Sequence, residues 1–114
     1  MSTARVAAQL WYWQRASAMV LAICVAIHLV TLIYAVQGGL TAEEILARTR
    51  GNAMAALFYG VFVVVAAVHA PIGLARIAEE WLGWRTHLSL AVATVVGLGL
   101  VIGGGRAVYA VFAG

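Results

Sequence analysis

VFVVVAAVHAPIGLARIAEEW, residues 61–81, is a long apolar run with a histidine, a proline and an arginine set into one end. A run of this length and character reads as a membrane-spanning helix. An imidazole held in hydrocarbon is expensive, so His69 needs a partner, and the default reading of such a residue is a functional site. His69, Gly73 and Arg76 fall at i, i+4 and i+7, along one stripe of a helix. That stripe offers a ring nitrogen, a gap without a side chain, and a cation nearer the water.

The rest of the chain agrees with a membrane class. Of its 114 residues 65% are hydrophobic and only 10% charged, with a mean hydropathy of +1.01. Ordinary soluble domains carry about 25% charged residues. Three spans of ~20 residues and short connections use up the length, so one membrane domain is expected and soluble chemistry falls to partner chains. The net charge of +3 comes from arginines scattered near helix ends, which form no basic stripe and give no reason to expect nucleic acid. Cys24 is alone in an apolar run and reads as a small core residue.

In chain order, residues 1–15 read as a mixed lead-in, with Trp11, Tyr12 and Trp13 at a membrane boundary. The expected fold is an all-α membrane protein of three transmembrane helices, over about residues 16–36, 53–77 and 87–108. Between the first two, Gly38-Gly39 breaks the helix, and Thr41-x-x-Glu44 is a capping-box pattern that opens a short interfacial helix over about residues 41–50. Residues 78–86 read as a polar turn in which Glu79 and Glu80 face solvent or a soluble partner. Pro71 removes a helix bond to Ala67 and predicts a local kink. The third span's glycines allow close helix approach. Arg5, Arg15, Arg76 and Arg85 outnumber Arg48, Arg50 and Arg106, which favours a cytoplasmic N-terminus.

His28 lies in the first span. With inner boundaries near Gln14 and Ala78, the two intramembrane histidines differ in depth by about 8 Å, more than one helical turn. They are then poorly placed to share one iron. A flat, apolar, iron-centred ring with acidic tails suits the His69 stripe, and the offset suits two such haems, one nearer each surface. Each iron would take its second axial ligand from another chain, either a distinct partner or a second copy.

At the level of motif, WQRASAMVLAICVAIHL, residues 13–29, looks like the first span of the membrane anchor of succinate dehydrogenases and fumarate reductases. HAPIGLAR, residues 69–76, resembles that family's second-span pattern, a histidine followed four residues later by glycine and then by a basic residue. The resemblance covers roughly residues 11–84. It implies a cytochrome b subunit in the cell inner (cytoplasmic) membrane that binds one or two haem b groups, shared with a partner chain, and membrane quinone, beside an iron-sulfur subunit and a flavoprotein subunit that carries the flavin chemistry. It implies His69 and His28 as axial haem ligands and places Arg15 and Ser17, with Gln14 before them, near the quinone. The single-haem anchors read HRxSG there, whereas this chain reads Gln14-Arg15-Ala16-Ser17-Ala18, and Ile77 follows Arg76 where the family has a histidine.

Plainer readings stand beside each of these. Either histidine could simply hydrogen-bond across the bundle, Thr31 being one candidate neighbour of His28, and His87 sits at a helix mouth as a solvated residue. Arg76 either pairs with a haem propionate or marks a membrane boundary; Arg15 either polarises quinone or does the same. The leading function is electron transfer between an iron-sulfur protein and quinone. The alternatives are a haem-free anchor of the same complex, and a small transport subunit with the histidines as a proton relay. No P-loop, nucleophile elbow, CxxC or HExxH pattern points to an independent hydrolase or NTPase.

Overall fold

The computed structural model describes residues 2–114. Among them the chain is all-helical, with α1 (Thr3–Gly38), α2 (Ala42–Thr49), α3 (Ala53–Trp81) and α4 (Thr86–Ala113). The helices α1, α3 and α4 are long and apolar enough to cross a membrane.

The expected lead-in proves to be helix. α1 starts at Thr3 because nothing between there and Gln37 breaks it: the segment has no glycine or proline and is rich in alanine and leucine. Ser2 caps it, its hydroxyl accepting from the Arg5 N–H at 3.3 Å. Its 36 residues span about 54 Å. A hydrocarbon layer is about 30 Å thick, so one end of α1 reaches beyond it.

The polar turn is likewise shorter than expected. α3 runs on to Trp81, and only Leu82–Arg85 connects it to α4, with Gly83 at φ +66°. The Leu82 and Trp84 N–H groups both donate to the Ala78 carbonyl, which closes the end of α3. Glu79 therefore sits on a helix. Its carboxylate accepts from the hydroxyl of Ser89, which is 1% exposed, so it is not the solvated turn residue expected. α4 continues through Gly103-Gly104-Gly105 to Ala113, past the expected end near residue 108. Glycine breaks helices chiefly where water competes for the backbone, and a hydrocarbon layer offers no such competition.

The capping box at Thr41 is complete. The Thr41 N–H donates to Glu44 Oε2 at 2.9 Å, and the Glu44 N–H donates to Thr41 Oγ1 at 3.2 Å. The short helix α2 then ties together two helix ends. Arg48 donates to the carbonyls of Ala35 and Gly39 at the end of α1, placing a cation where α1 leaves unpaired acceptors. Thr49 Oγ1 donates to the Val111 carbonyl at 2.8 Å, and the Gly51 N–H to that of Phe112 at 2.9 Å, near the end of α4.

α3 is the central element, packed along α4 on one side and α1 on the other. α3 stays helical through Pro71, and α4 meets it there at Gly97. A Cβ on Gly97 would stand 3.1 Å from Pro71 Cγ and 3.5 Å from the Ala67 carbonyl that the proline leaves free. Among the described residues only Ser17, Cys24, Ala78, Ser89 and Ala93 are buried. All are small, as close helix approach in a membrane requires. Large apolar side chains face outward on every long helix. The described residues thus enclose little core of their own.

Candidate functional site

The antiparallel pairing of α1 and α3 gives each intramembrane histidine a hydroxyl partner. His69 Nδ1 lies 3.2 Å from Ser17 Oγ, and the Ser17 hydroxyl donates back along its own helix to the Gln14 carbonyl at 3.0 Å. His28 Nδ1 lies 3.1 Å from the hydroxyl of Tyr59. The His28 ring also meets Tyr59 and Phe62 edge-on, at centroid distances of 5.7 and 5.9 Å. Both histidines are half-buried, and in both the Nε2 atom is the nitrogen left over.

These two contacts fix the register and correct the depth estimate. Ser17 is level with His69, and Tyr59 is level with His28. The histidines are therefore separated by the eleven residues from Ser17 to His28, which is about 16 Å along the bundle rather than 8 Å. The shortfall came from the assumed boundary. Gln14 is level with Gly73, not with Ala78: its Nε2 stands 3.1 Å from where a Gly73 Cβ would be. Five residues of misregister account for the missing 8 Å or so.

Around His69 the side chains are tightly used. The Gln14 amide occupies the room beside Gly73. Gln14 Oε1 is buried and has no hydrogen-bond partner among the described residues. Arg15 is exposed, and its guanidinium stacks over the Trp11 ring at 5.0 Å, one turn back on α1. Arg76 is also exposed, on the wall of a cavity of about 420 Å³ shared with Leu10, Glu79, Thr86 and Leu90. His28 by contrast borders open space. Two adjoining cavities of about 460 and 370 Å³ share His28, Ile45, Thr49 and Tyr59 in their walls and lie where α1, α2, α3 and α4 converge. His87 is exposed in the first turn of α4.

The donor set suits a group that takes one protein ligand from this chain at each of two levels. Among the described residues no three His, Cys, Asp or Glu side chains come together to hold a metal ion. A single neutral imidazole, with Nδ1 engaged by a neighbour and Nε2 available, is the arrangement that axial ligands of haem adopt. Sequence reading missed Tyr59 and Ser89. Tyr59 looks like one more aromatic in an apolar run, and only the pairing of α1 with α3 shows that its hydroxyl meets His28. No family model, curated protein or solved structure matches this chain.

Proposed function

We propose that this chain is a haem b-binding membrane anchor subunit of a succinate:quinone oxidoreductase, serving electron transfer between an iron-sulfur subunit and membrane quinone. One observation carries the reading: two half-buried histidines, about 16 Å apart along the bundle, each rest Nδ1 on a hydroxyl of the facing helix and keep Nε2 for a ligand. His69 and His28 would each hold one haem, with the second protein ligand of each coming from a second anchor chain or a second copy. A bound haem b supplies a one-electron couple within the membrane. Arg76, exposed at the His69 end, would pair with an acidic propionate. The unpartnered Gln14 Oε1 is a buried acceptor of the kind a quinol hydroxyl satisfies. In this reading the bundle lies in the cytoplasmic membrane with Arg5, Arg15, Arg76 and Arg85 inside, and α2 rests at the opposite surface.

The test is a reduced-minus-oxidised spectrum of the intact complex with haem-to-protein stoichiometry. His69→Ala and His28→Ala are each expected to remove one b-type haem and leave the other. A wild-type complex without haem refutes the proposal. The Tyr59–His28 pair beside the two cavities favours one other reading, a proton relay, which a haem-free complex with proton movement lost in Tyr59→Phe would support.

A further inference from the structure

We propose that Ser17 is a positioning residue whose lone pair holds the proton of His69 on Nδ1 and so leaves Nε2 as a lone-pair donor. The inference rests on the haem reading for its purpose, but its geometry stands alone. A serine hydroxyl has one proton, and of the two contacts Ser17 Oγ makes, the Gln14 carbonyl at 3.0 Å is the shorter and has no proton of its own to give. What Ser17 then offers His69, 3.2 Å distant, is an acceptor. A neutral imidazole facing an acceptor at Nδ1 must carry its proton there, which leaves Nε2 bare. Ser17 is 5% exposed, so water does not compete for the contact.

The contrast with His28 sharpens the assignment. Among the described residues the Tyr59 hydroxyl bonds only to His28, so its proton is uncommitted and either partner can donate. His69 is locked into the ligating tautomer by its neighbour, and His28 is not. Ser17, which the sequence motif suggested as a quinone contact, is on this geometry committed to the histidine. Hydrogen-bond donation from Nδ1–H to an acceptor makes the imidazole a stronger lone-pair donor at Nε2. Removing the acceptor should shift the potential of a His69-ligated haem to more positive values.

The experiment has two arms. In the first, the full chain is labelled with ¹⁵N-histidine, placed in lipid nanodiscs without haem, and its ring nitrogens are read by NMR. The wild type is expected to show His69 as a single tautomer protonated at Nδ1. Ser17→Ala should yield a mixture, Ser17→Thr should restore the single form, and His28 should be unchanged throughout. Ser17→Cys keeps the volume with a weak acceptor and should resemble alanine, which covers the case in which the alanine variant fails to fold. In the second arm, the haem potential in the intact complex should rise in Ser17→Ala and return in Ser17→Thr. An unaltered His69 tautomer in both Ser17→Ala and Ser17→Cys overturns the inference. A wild-type complex without haem overturns the proposed function and leaves the first arm to stand or fall by itself.

Discussion

The three consecutive glycines of α4 give a direct test of how α3 and α4 pack. A Cβ on Gly104 would lie 2.6 Å from Val63 Cγ1 and 2.8 Å from Cγ2, whereas one on Gly103 or Gly105 meets nothing within 4 Å. Carbon atoms settle at roughly 3.5–4.0 Å, so Gly104→Ala asks Val63 or a whole helix to retreat by about 1 Å. Valine in a helix has one strongly preferred rotamer and cannot turn aside cheaply. Overpacking of this kind costs about 1–3 kcal/mol. Replacing glycine by alanine within a helix also gains up to about 1 kcal/mol of propensity, but all three positions share that gain. The difference between Gly104→Ala and its two neighbours therefore isolates the steric contribution. Unfolding in mixed micelles with increasing dodecyl sulfate, followed by circular dichroism, should place Gly104→Ala about 1–3 kcal/mol below Gly103→Ala and Gly105→Ala. Val63→Ala combined with Gly104→Ala should recover part of the loss, as expected for residues in contact. Three variants within about 0.5 kcal/mol of one another would refute the packing.

Two further predictions concern polar groups. The Thr41 N–H, helped by the Thr41 hydroxyl, holds the Glu44 carboxyl below the usual glutamate value. A depressed folded value means that the cap's contribution is present above the unfolded value and is lost as pH falls through the folded one. Amide protection over Thr41–Ile45, measured relative to the intrinsic exchange rate, should thus fall as the sample is acidified below about pH 4, and Glu44→Gln should abolish that pH dependence while keeping the cap. Ser89→Ala removes the buried hydroxyl that donates to Glu79 Oε1, and the stranded acceptor should cost about 1–3 kcal/mol in the same micelle titration. No loss in Ser89→Ala would mean that water reaches Glu79 freely.

The three apolar helices, the break at Gly38-Gly39, the capping box at Thr41 and the interest of His28 and His69 were all legible along the chain. Each of these is a local property: hydropathy over a turn-by-turn window, a breaker, or a cap three residues long. Sequence reading misjudged where α1 begins and α3 ends, because aromatic and charged residues near a membrane boundary suggest a break that the backbone does not need. The register of α1 against α3 emerged from the packed helices alone. That register turned an 8 Å offset into one of about 16 Å, gave His69 to Ser17 and His28 to Tyr59, and set Gln14 beside Gly73. Helix-to-helix register depends on which small residues let two backbones approach, and no window along a single helix contains that information.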